Sequence, residues 1–172
     1  AFNLAQLITS DRPTYAGYRK ALPWYLSAAK AGLTDAQYAL ANIYAEAKGV
    51  PTNDEAQARE WLAKAAEGGL DTAQVDYAIW LANGRGGKKD EENSFYWLKR
   101  AVAQFNVIAQ NRLARAYAFG IGTEVDMIKA GGWHIVARRA GISDTEMDRL
   151  FQSLPEIDRK RALEFASSFK KG

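Results

Sequence analysis

The chain has 172 residues, 48% hydrophobic and 25% charged, which suits one folded unit with a substantial core and argues against a disordered or fibrous protein. Its 23 basic and 20 acidic side chains leave a net charge of +3, far from the concentrated basic footprint of a nucleic-acid binder. With no cysteine there are no disulfides, thiolate metal sites or thiol nucleophile, and no apolar run approaches the roughly 20 residues of a membrane helix.

Residues 1–9 hold no basic region followed by an apolar stretch and a cleavage site, so no targeting signal is visible there. Leu4-Ala5 stands 20 residues before Trp24, as Tyr77-Ala78 stands 20 before Trp97. On that spacing residues 1–9 are expected to be the second helix of a partial repeat, with the array starting upstream.

Residues 16–52 form the first complete unit. Ala21, Trp24 and Ala28 recur at helical spacing and Gly32 follows, placed to end the helix in the left-handed conformation. A second helix carries Ala36-Gln37, Leu40-Ala41 and Tyr44 and runs into the loop Ala47-Lys48-Gly49-Val50-Pro51.

Residues 53–88 repeat the pattern. Asp54 is placed to cap a helix; Ala58, Trp61, Ala65 and Gly69 follow, then Ala73-Gln74, Tyr77-Ala78, Leu81 and the loop Gly84-Arg85-Gly86-Gly87. Residues 89–124 do so again, with Asp90, Ser94, Trp97, Ala101, Ala109-Gln110, Leu113-Ala114, Tyr117 and Gly120-Ile121-Gly122. This copy alone departs at the turn, where Phe105 replaces the glycine. Residues 125–141 supply only a first helix, with Asp126, Ala130, Trp133, Ala137 and Gly141. The four tryptophans are spaced by 37, 36 and 36 residues, the odd step being one extra loop residue. Units of this kind cover their apolar faces only by stacking, so all four register tryptophans are expected to be buried in the stack.

Residues 142–172 lack the second-helix pattern and are expected to form capping helices. Ser143 with Glu146 reads as a capping box opening a helix to about Leu154, and Pro155 suits the first turn of a last helix to about Phe169.

The succession of Asp, a small residue, Trp, Ala and Gly, then Ala-Gln, Leu-Ala, Tyr and a Gly-rich loop, resembles the Sel-one-like repeat, a relative of the tetratricopeptide repeat, over residues 1–141. The resemblance implies an all-α, right-handed α-hairpin repeat solenoid with a helical cap here. It also implies an adaptor that assembles complexes in bacterial envelope, signalling or host-interaction settings, with a periplasmic or secreted location favoured over the cytoplasm. The β-lactam association of some disulfide-rich relatives transfers poorly to a chain without their cysteines.

The residues point away from catalysis. His134 is the only histidine and shares its register position with Tyr25, Leu62 and Leu98, on the buried side of a helix, where no nucleophile or second base accompanies it. Gly84-Arg85-Gly86-Gly87-Lys88-Lys89 lacks the first Gly and the Ser/Thr of a phosphate loop and joins helix to helix. Asp90-Glu91-Glu92 lacks the ligand pattern of a calcium loop and reads as a helix N-terminus. Glu46 and Glu67 are isolated by repeat position, so no paired carboxylates are available. No catalytic, cofactor or metal site is therefore expected.

Binding has more to work with. At 100° per residue, offsets −3, 0, +1, +4 and +5 from each Trp share one side of the first helix, while −1, +2, +3 and +6 share the other. The resemblance implies that the first helices line the concave surface, so these outward positions would form its floor. They are Pro23, Leu26, Ser27 and Lys30; Glu60, Ala63, Lys64 and Glu67; and Tyr96, Lys99, Arg100 and Ala103. Ile135 and Val136 are expected to pack under the cap. Leu26, Lys30, Lys64, Tyr96, Lys99 and Arg100 are the expected partner-binding residues, a mildly basic stripe with two apolar members that suits acidic and apolar side chains of another protein or peptide. A glycan or peptidoglycan fragment, a nucleic acid, or a hydrolase are the alternative readings, and a monomer is expected.

Overall fold

The computed structural model describes residues 1–11 and 13–169. Among them every regular element is an α-helix, and none is long and apolar enough to cross a membrane. The fold is an α-hairpin repeat whose helices fall into two compact units, Ala1–Lys89 and Asp90–Gly172.

The first unit contains α1 (Phe2–Asp11), α2 (Tyr15–Lys30), α3 (Thr34–Ala45), α4 (Glu55–Glu67) and α5 (Asp71–Asn83), each packed on the next. Alanine makes the close approaches: Ala21, Ala36, Ala58, Ala65, Ala73 and Ala78 are fully buried. Leu40, Ile43, Leu62 and Leu81 fill the space between them. This division of labour follows from close packing, in which small side chains at the crossing let the large ones interlock. α1 docks on the Tyr25 side of α2, where the Tyr25 hydroxyl lies 3.0 Å from Thr9 Oγ1 and Phe2 meets the Tyr25 ring edge-on.

The second unit contains α6 (Glu91–Ala103), α7 (Val107–Phe119), α8 (Met127–Arg139), α9 (Thr145–Ser153) and α10 (Glu156–Ser168). α6 packs on α7 and α7 on α8, while α8 also carries both α9 and α10. The docking surface for these last helices is a pair of glycines. A Cβ at Gly132 would enter the Phe165 ring, and one at Gly131 would press on Ala162 and Phe151. Trp133 closes the same contact, edge-on to Phe165 and Phe169 at 5.7 and 4.7 Å.

The expected helix ends are present. Asp54, Asp90 and Asp126 accept the backbone N–H of Gln57, Asn93 and Lys129 at 2.9, 3.0 and 2.9 Å. Gly32, Gly69 and Gly141 take φ of 88°, 94° and 94° just past their helices. Phe105 holds the same turn at φ 60° without a glycine.

Three expectations need correction. Trp24 is 43% exposed, whereas Trp61, Trp97 and Trp133 are nearly buried. Among the described residues no ring or cation stacks on Trp24, whereas Lys64 lies over Trp61, Arg100 over Trp97, and Phe165 and Phe169 against Trp133. Asp144, not Ser143, caps α9, accepting Met147 N–H at 3.1 Å, while Glu146 reaches Arg115 instead of closing a capping box. An ionised carboxylate held by Arg115 and Asn111 is the stronger acceptor for the helix N-terminus. Pro155 sits at the N-cap of α10, one residue outside its first turn.

Candidate functional site

The candidate residues divide three and three between the units. In the first, Leu26 is half-buried on α2 and Lys30, one turn further, is exposed, as are Pro23 and Ser27. On α4, Glu60, Lys64 and Glu67 are exposed beside the half-buried Ala63. Lys64 does not extend freely into solvent. Its Nζ lies 4.3 Å from the centre of the Trp61 ring, so the register tryptophan, built into the core by Ala58 and Ala65, also orients the cation above it.

In the second unit the arrangement is tighter. Tyr96 is 49% exposed and stands edge-on to the buried Trp97 at 5.4 Å. Arg100, one turn along α6, lies 5.0 Å from the Trp97 ring and 6.0 Å from that of Tyr96, and its Nη1 donates to the Tyr96 hydroxyl at 3.5 Å. Lys99 is drawn to the other flank of the helix, 5.2 Å over Phe95. Tyr96 and Arg100 thus form one assembled pair, and Lys99 stands apart from it. Toward the cap, Ile135 is half-buried and Val136 buried.

The remaining sequence candidates have structural occupations. His134 is 3% exposed, with Nε2 2.8 Å from Asp148 Oδ1, and it ties α8 to α9; Arg138 shares that carboxylate at 3.4 Å. The loop after α5 is organised around a cation. Arg59 donates to the carbonyl oxygens of Arg85 and Lys88 at 3.2 and 2.8 Å, so these oxygens converge on a guanidinium, the reverse of the inward N–H groups that a phosphate needs. Asp90 is spent as the α6 cap, and Glu46 pairs with Lys48 at 2.8 Å. Among the described residues no three of His, Cys, Asp or Glu gather as metal ligands.

Sequence periodicity missed two features. The exposure of Trp24 is one, since Ala21, Ala28 and Gly32 match the residues around the buried Trp61. The other is a stacked pair after α5, where Arg85 lies 4.1 Å over the half-buried Trp80 and bonds Glu55 at 2.8 Å; Trp80, outside the register, was the signal for it.

The family model for the Sel1 repeat matches residues 2–33, 34–70, 72–104 and 107–141. Among solved structures, a Sel1 repeat protein from Oxalobacter formigenes is 35% identical with a TM-score of 0.62, the match covering 83% of this chain and 97% of that one. The chain is also similar to c5321, a protective antigen present in uropathogenic Escherichia coli strains and displaying an SLR fold, at 26% identity and a TM-score of 0.64. That match covers 97% of this chain and 44% of that one.

Proposed function

Since the chain belongs to the Sel1 repeat family, whose members generally mediate protein–protein interaction, we propose that it is a non-catalytic adaptor that binds a partner protein or peptide through the outward faces of its first helices. The repeat register supports this reading, because it sets these positions on the side of each first helix opposite the packed one. Leu26, Lys30 and Lys64 would act in the first unit, and Tyr96, Lys99 and Arg100 in the second.

The observation that carries the reading is the Tyr96–Arg100 pair. Tyrosine and arginine are the side chains that most often dominate interface energetics, and their usual cost is lost side-chain freedom on binding. Here Arg100 already rests on two rings and a hydroxyl, so less freedom remains to be lost. The pair offers an aromatic edge and a fixed positive charge, which suits a partner surface of apolar and acidic side chains.

Cross-linked co-purification should recover a defined protein partner, and Tyr96→Ala combined with Arg100→Glu should lose it while the helical circular dichroism stays unchanged. A folded double variant that retains the partner removes this assignment.

A further inference from the structure

A cavity of about 250 Å³ opens in the second unit between the α6–α7 turn and the ends of α8 and α10. Phe105, Val107, Val136, Ala140, Ala166 and Phe169 give it apolar walls, with Gln110 and Arg139 as its polar members.

Two local oddities meet there. Gln37 and Gln74, at the equivalent register positions, donate Nε2 to the carbonyls of Ala29 and Ala66. Gln110 is 4% exposed, yet among the described residues its Oε1 has no hydrogen-bond partner, an unfavourable condition that a ligand donor would relieve. Phe105 occupies the left-handed turn that Gly32, Gly69 and Gly141 occupy elsewhere, a conformation that disfavours any side chain. At those glycines a Cβ would meet open space, so the packing of the turn does not call for a ring; at Phe105 the ring becomes a cavity wall, 6.1 Å from Phe169. The mouth is cationic. Arg139 is exposed and its Nη1 makes a long 3.4 Å bond to the Ala166 carbonyl, whereas its neighbour Arg138 is paired with Asp148.

We propose that this cavity takes the C-terminal residue of a partner polypeptide, a large apolar residue with a free carboxylate. The side chain enters between Phe105 and Phe169, the residue's amide N–H donates to Gln110 Oε1, and the carboxylate pairs with Arg139. An arginine fork matches a carboxylate in geometry and charge, and the volume suits one side chain rather than a drug-sized ligand. The proposal rests on the protein-binding reading above and names the partner's chemistry at one place.

The probe is N-acetyl-Gly-Gly-Phe, titrated against the whole chain by calorimetry with tryptophan emission as a second readout, since Trp133 packs on Phe169. The free acid should bind saturably, and its C-terminal amide about tenfold more weakly, the loss of one charge-assisted contact. Arg139→Met should bring the acid down to the amide's affinity, and Gln110→Leu should weaken acid and amide alike. Equal binding of acid and amide to the unaltered chain, or no saturable binding of the acid, overturns the proposal without any variant having to fold. Partner capture that depends on Tyr96 and Arg100 but not on Arg139 also overturns it, and leaves the α6 face standing.

Discussion

Arg115 on α7 holds Asp144, the N-cap of α9, with Nη1 3.1 Å from Oδ2, and the same carboxylate accepts the Asn111 amide at 2.9 Å. Burial acts to raise the Asp144 pKa, but hydrogen bonds from Asn111, the Met147 backbone and Arg115 outweigh it and hold the carboxyl below the usual aspartate range. A depressed folded pKa means that this stabilisation is present above the unfolded value, near 4, and is lost as pH falls through the folded one. Asp144→Ala should cost about 1–2 kcal/mol at pH 7, the usual worth of a helix cap. In urea melts the gap between the two proteins should close below pH 4; a gap that persists into stronger acid would show that the charge is not its source.

In the first unit, the Tyr38 hydroxyl donates to Asp76 Oδ2 at 2.7 Å, joining α3 to α5. Burial, then the hydrogen bond and charge of Asp76, push the phenol up to about 12. Because the folded pKa is raised, the contribution is complete below the unfolded value near 10 and disappears as pH rises past about 12. Tyr38→Phe should cost about 1 kcal/mol at neutral pH. Ultraviolet titration should show one phenol ionising near 12 in the parent and absent from Tyr38→Phe; identical titration curves contradict the assignment.

The loop glycines should separate into two classes. At Gly122, with φ 67°, a Cβ would strike the Glu91 carbonyl at the start of α6. At Gly32, with φ 88°, it would meet nothing. Gly32→Ala therefore carries only the conformational penalty, about 1–2 kcal/mol. Gly122→Ala adds a backbone collision and should cost about 3 kcal/mol or more. Thermal melts that rank the two equally would mean that the loop moves away at little cost.

Trp24 should be the tryptophan most accessible to solvent. Iodide quenching of the native protein should show an accessible fraction that Trp24→Phe removes, with little change in melting temperature. The same substitution at Trp133, buried against Phe165 and Phe169, should cost about 1–3 kcal/mol through lost packing. Unchanged quenching in Trp24→Phe would place the accessible ring elsewhere.

Much of this molecule was legible because a repeat states its rules several times. Asp54, Asp90 and Asp126 cap their helices by the same backbone bond, and of the residues that the outward offsets selected, Lys30, Lys64, Tyr96, Lys99 and Arg100 are exposed while Leu26 is half-buried. The errors lie where neighbours in space differ while neighbours in sequence do not. Trp24 has the same flanking alanines as Trp61, and Ser143 offers a capping hydroxyl as credible as its neighbour's carboxylate until Arg115 is placed beside Asp144.

By itself, then, the sequence determined the helices and most of their turns, since these depend on spacing within about two turns of chain. Only the tertiary structure decided which tryptophan stays uncovered, which carboxylate caps α9, and that Phe105, Gln110, Arg139 and Phe169 share one cavity. Those outcomes depend on residues distant along the chain that meet on packing, and burial, charge pairing and hydrogen-bond satisfaction are properties of that meeting, not of any one segment.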